Sequence, residues 1–67
     1  KLIETFGIHL KSIRTERGLS QEELANDADI PINQIGRIER GEVNPSLSTL
    51  YSIASALNLK LPELLKF

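Results

Sequence analysis

Apolar residues in this chain recur at spacings of three and four and nowhere alternate in the manner of a strand, and that period constrains the fold most. Ile3, Phe6, Leu10 and Ile13 mark the inner face of a first helix. Leu47, Leu50, Ile53, Ala54 and Leu57 mark another near the end of the chain. Between them the pattern is cut into short pieces. Gly18 stops the first helix, and Arg17 just before it suits the negative end of the helix dipole. Ser20 and Glu23 have the spacing of a capping box, in which hydroxyl and carboxylate satisfy free backbone donors at the start of a helix. Leu24, Ala25 and Ala28 form the inner side of this second helix. Asp29 tolerates turn geometry, and Pro31 ends one helix while permitting another. Ile35 and Ile38, assisted by Ile32, anchor a third helix that Gly41 terminates, and Pro45-Ser46 opens the fourth. Asn58 is a left-handed cap, and Pro62 suits the first turn of a short fifth helix expected to reach Phe67. The expectation is an all-α, compact bundle of five short helices in a single domain, residues 1–67.

A core of 67 residues is marginal and depends on good helix packing. With no cysteine, disulfides, thiolate metal sites and cysteine nucleophiles are excluded. That fits a reducing compartment, and a cytoplasmic location is the expectation. No apolar run approaches the roughly 20 residues of a membrane span, and no signal-peptide pattern opens the chain. The first residue is Lys1 instead of methionine, as in a piece trimmed from a longer protein. Catalysis finds no support either. His9, the only histidine, reads as a solvated helix residue, while Glu23 is taken by the capping box and Glu22 by the helix dipole. There is no His–acid–nucleophile set, metal-ligand cluster or glycine-rich phosphate loop. We therefore expect no enzyme, no cofactor and no metal. Net charge is −1, so any contact with nucleic acid must come from the distribution of charge and not from its total.

Helical geometry sorts the polar residues into two sets. At about 100° per residue, Phe6, Ile13 and Arg14 all fall within roughly 60° of Leu10. On the third helix, Ile38 and Glu39 fall in the same window around Ile35. Each helix thus carries one charge, of opposite sign, at the edge of the core. A charge there needs a partner, and Arg14 and Glu39 are expected to pair; the alternative is that both snorkel to water. The other side of the third helix holds Asn33, Gly36, Arg37 and Arg40. Asparagine bonds adenine bidentately and arginine does the same with guanine in the major groove, while Arg40 at the helix end suits a phosphate. The plain alternative is a solvated polar face. Gly36 costs a helix about 1 kcal/mol relative to alanine, and on this outer side the core does not require its small size.

Two short helices joined by a tight turn, the second bearing this face, have the helix-turn-helix order. Through "GLSQEELA" and "IERGEVNPSLSTL" at this separation, and over nearly the whole chain from Phe6 to about Leu65, the sequence resembles the Cro/C1-type (XRE-type) helix-turn-helix family. The resemblance implies a lambda-repressor-like bundle whose third helix lies in the major groove of double-stranded DNA, in a sequence-specific transcriptional regulator. It implies a phosphate contact for Gln21 and a groove-facing stretch of Asn33, Gln34, Gly36 and Arg37. Ile32 matches a position that reads a base in some members. Arg40, Asn44 and Ser46 match a loop that touches backbone phosphates, and Arg14 and Glu39 match a structural ion pair. The chain departs from the pattern at several points. Pro31 stands where serine or threonine often caps the recognition helix, Asp29 where glycine is usual, and Gly36 where serine is frequent. Glu42 lies in a loop that is often basic, and Lys60 replaces the usual cap of the last helix, an end expected to fray. The acidic balance favours a second reading, a protein-interaction module that keeps the fold without binding DNA. A homodimer is expected, since paired half-sites multiply affinity. Leu64, Leu65 and Phe67 are the candidate interface, unless they close the monomer's own core.

Overall fold

The computed structural model describes all 67 residues. Its helices are α1 (Leu2–Glu16), α2 (Gln21–Ala28), α3 (Ile32–Glu39), α4 (Leu47–Ala56) and α5 (Leu61–Leu64). Local chemistry sets most of their limits. At the start of α2, Ser20 Oγ accepts the Glu23 amide at 3.0 Å and Glu23 Oε1 accepts the Ser20 amide at 2.8 Å. Ser46 Oγ caps α4 by accepting the Thr49 amide at 3.1 Å. Lys60 has no acceptor to offer α5, yet Glu63 Oε1 accepts the Lys60 amide at 2.8 Å, which keeps the carboxylate half of a capping box.

The first four helices end by one device. Gly18, Asp29, Gly41 and Asn58 have φ of 69°, 59°, 72° and 62°. The next amide then turns back onto the last helical turn, as Leu19 to Arg14, Ile30 to Ala25, Glu42 to Arg37 and Leu59 to Ala54 at 2.8–3.1 Å. The two positions that are not glycine carry Asp and Asn, the L-residues that best tolerate the left-handed region.

Leu10, Leu24, Ile35, Ile38, Ile53, Leu57 and Leu64 are fully buried and form the centre of the core. α1 and α2 pack on α3, α2 packs on α4, and α4 on α5. At Gly7 the backbones of α1 and α3 nearly touch. A Cβ there would lie 2.5 Å from the Ile38 carbonyl oxygen and 2.6 Å from that of Glu39, so no larger residue fits without moving a helix. The C-terminal turn of α3 is thereby held against α1. Arg17 adds a tie across the bundle by donating to the Leu57 carbonyl at the end of α4.

Four expectations are corrected. Ile32 does not anchor α3 in the core: it is the first helical residue, ahead of the turn that faces inward, and is 49% exposed. Leu47 is exposed for the same reason at the start of α4. α5 stops at Leu64 instead of reaching Phe67, and the Phe67 ring packs edge-on to Phe6 with centroids 5.5 Å apart. Finally, His9 is half-buried, not solvated. Its Nε2 donates to the Leu64 carbonyl at 2.9 Å, and its ring stacks on Phe67 at 5.3 Å.

Candidate nucleic-acid interface

Arg14 and Glu39 meet as the helical geometry requires. Nε of Arg14 lies 2.6 Å from Glu39 Oε2 and Nη2 lies 3.1 Å from Oε1, a two-point fork. The side chains are only 10% and 2% exposed. Arg14 Nη1 also donates to the Leu19 carbonyl at 2.7 Å, joining α1, the loop before α2 and the end of α3. The hydrogen bond to Glu39 raises the Arg14 pKa above its ordinary value, against the opposing effect of burial. Gln21, on the first turn of α2, donates through Nε2 to Glu39 Oε1 at 3.0 Å. The buried pair therefore also fixes the orientation of a residue expected to touch phosphate.

The outer side of α3 opens onto a groove of about 370 Å³. Asn33, Gln34 and Arg37 line it from α3, and Asn44, Ser46 and Thr49 line it from the loop and the first turn of α4. Asn33 and Arg37 are exposed and stand one turn apart. Pro31 supplies no side-chain cap to α3, so the first amides of that helix have no acceptor from its side chain. Ser46 sits on the groove, but its hydroxyl is engaged by the α4 cap and by the Ser48 and Thr49 hydroxyls at 3.1 and 3.0 Å. Thr49 also lines the groove, although its sequence position alone does not mark it. The fold of the loop before α4 brings it opposite α3, and only its place in the first turn of a capped helix hints at that.

Gly36, Gln21 and Arg40 form a second group beside the groove. Gly36 is buried, contrary to its expected exposure, although the core does not cover it. The arms of two polar residues do: a Cβ at position 36 would meet Arg40 Nη1 at 3.0 Å and Gln21 Oε1 at 3.5 Å. Arg40 is folded back along its own helix and held there by Glu42. Arg40 Nε donates to Glu42 Oε2 at 2.7 Å, and Nη2 donates to Oε1 at 3.3 Å. Both side chains remain about half exposed, at 59% and 49%. Arg40 lowers the Glu42 pKa, mainly through this hydrogen bond, with Arg37 contributing weaker attraction. No cluster of acidic or histidine side chains has the arrangement of a metal site. No helix is long and apolar enough to cross a membrane.

Comparison with known proteins gives this arrangement its family. A helix-turn-helix family model matches residues 10–64. The chain belongs to the Cro/C1-type helix-turn-helix family. It is 45% identical over 56 residues to the immunity repressor protein of Bacillus phage phi105, a match covering 84% of this chain and 39% of the repressor. It is 42% identical over 62 residues to the control protein C.SmaI of Serratia marcescens, covering 92% of this chain and 74% of that protein. Among solved structures, the restriction-modification controller protein C.AhdI of Aeromonas hydrophila superposes with a TM-score of 0.87 at 40% identity, covering 94% of each chain. The chain thus spans about two fifths of the length of the phage repressor and most of the length of the control protein. In this helix-turn-helix, α2, the Asp29–Pro31 turn and α3 form the motif, while α1 and α4 supply the core beneath it.

Proposed function

We propose that the chain is the DNA-binding part of a sequence-specific transcriptional regulator, with α3 entering the major groove of double-stranded DNA. One observation carries this reading. The residue types that read base edges, Asn33 and Arg37, stand exposed on the side of α3 opposite Ile35 and Ile38, facing a groove whose far wall presents Asn44, Ser46 and Thr49 beside Val43 and Pro45. The start of α3, where no side chain caps the first amides, adds a favourable end for phosphate. In this reading Asn33, Gln34 and Arg37 address bases, with Ile32 free for an apolar contact. Gln21, Arg40, Asn44 and Ser46 address the backbone, and Gly36 lets the arms beside it lie close to the helix.

A homodimer completes the proposal. Leu64 is fully buried in its own monomer and is removed from the candidate interface. Leu65 and Phe67 remain exposed and line an apolar groove with Leu2, Ile3, Phe6 and Leu50. A symmetric pair using this face would present two α3 helices to an inverted repeat with half-site centres roughly 34 Å apart.

Gel shifts with genomic fragments at low and physiological salt test the first statement, and selection of bound duplexes followed by footprinting tests the second. Retention of a shifted band against competitor DNA and an inverted-repeat footprint are expected. Loss of every shift under competitor would favour the protein-interaction module instead. A single asymmetric half-site bound by one chain would reject the symmetric dimer.

A further inference from the structure

The Arg40–Glu42 fork lies at the edge of the proposed DNA surface and contributes nothing to the core. A carboxylate engaged by two guanidinium nitrogens occupies the same fork that a phosphate would take. Glu42 is not on a loose arm: its own amide closes the end of α3 by donating to the Arg37 carbonyl at 2.9 Å. Its carboxylate is thereby delivered to Arg40, two residues away. Gly36 provides the seat for the folded arm, since the Nη1 atom lies 3.0 Å from where a Cβ would stand.

We propose that Glu42 is a built-in stand-in for a DNA phosphate, which holds Arg40 against α3 in the unbound protein and yields it only to a phosphate that takes its place. This rests on the DNA-binding reading above and makes Glu42 a positioning residue that weakens and so disciplines the backbone contact. A phosphate poorly placed for the fork leaves Arg40 with Glu42, and binding to arbitrary duplex stays weak. The device also gives the negative loop a role: it tempers the attraction of the exposed cations Arg37 and Arg40 for any polyanion.

A double-mutant cycle tests it. Dissociation constants for a fluorescein-labelled 30-base-pair duplex of random sequence, and for the duplex recovered by selection, are measured for the parent chain, Glu42→Gln, Arg40→Ala and the double variant. Thermal melts verify that each variant is folded, as is expected for exposed side chains. Glu42→Gln should bind the random duplex about two- to fivefold more tightly, the scale of an exposed ion pair. The salt slope of its binding should steepen by up to about one. In the Arg40→Ala background the same exchange should change affinity by less than about 1.5-fold, because the partner it restrains is gone. An equal gain in both backgrounds would mean that Glu42 repels DNA at a distance without acting through Arg40, and would overturn the proposal. No gain from Glu42→Gln in a parent that binds DNA would overturn it as well. Failure of the parent to bind either duplex is a different result and removes the DNA-binding reading beneath it.

Discussion

Glu39 and Arg40 are neighbours at the end of α3, each in a two-point fork with a partner of opposite charge, and the two pairs have opposite characters. Glu39 points inward to Arg14, both side chains nearly sealed from water, with Gln21 and the Leu19 carbonyl satisfying further hydrogen-bonding groups. Arg40 points outward to Glu42, with both side chains half in solvent. The chemistry is the same and only the surroundings differ. In the first pair the desolvation of both ions has already occurred on folding, so neither partner can leave without stranding the other. In the second, water and salt compete throughout, and the pair can be exchanged for another at little cost. A helix turn of about 100° per residue suffices to place one residue in each regime.

Disrupting the inner pair should cost the most. Glu39→Ala should destabilise the domain by about 3–5 kcal/mol, because Arg14 is left buried without its carboxylate. Urea denaturation measures this, and an unchanged midpoint would dissolve the contrast between the pairs. Joint replacement of Arg14 and Glu39 by methionine sharpens it: much of the loss should return, since the stranded charge disappears along with its partner.

Next in size is the comparison of the two outward arginines. Arg37→Ala should weaken binding to the selected duplex by about 1–3 kcal/mol and relax the preference at one base pair. Arg40→Ala should weaken all duplexes alike and flatten the salt dependence. Equal losses on every sequence for both variants would make Arg37 a phosphate anchor.

Gly36→Ala should raise stability by up to about 1 kcal/mol, because the one tight neighbour it meets is the far end of the flexible Arg40 side chain, while Gln21 Oε1 stands at ordinary contact distance. A loss of stability would show that these arms form a rigid cover, and that the outer pair is less exchangeable than the inner comparison implies.

The smallest effect concerns titration. Arg40 holds the Glu42 carboxyl below its usual 4.5, so the folded chain favours the charged form. Whatever the outer pair contributes is present above the unfolded pKa and is lost as pH falls through the folded one. Carboxyl NMR should place the Glu42 midpoint below that of an unstructured glutamate, and Arg40→Ala should move it up. A midpoint indifferent to Arg40→Ala would deny the fork in solution.

Much of the fold was legible because it depends on near neighbours in the chain. The Ser20–Glu23 box and the left-handed closures at Gly18, Gly41 and Asn58 are decided within five residues. The Arg14–Glu39 pair could be anticipated for a related reason: helical phase alone shows that both charges face the core, and two opposite charges there have few other choices. What phase cannot supply is which side chain from another element arrives at a given spot. His9 is half-buried because its partners, Leu64 and Phe67, come from the far end of the chain, and Gly7 is required because its close neighbour is the backbone of α3; neither has a local signal.

At the candidate interface the same division holds. That Asn33 and Arg37 share the outward side of α3 follows from their spacing of four, which leaves no other result in a helix. The burial of Gly36, the orientation of Gln21 by Glu39 and the engagement of Arg40 by Glu42 arise only when the helices pack. Those outcomes follow from where α2 and the loop after α3 deliver flexible side chains. The reach and direction of such arms are set by the packing of whole helices, and no local pattern encodes them.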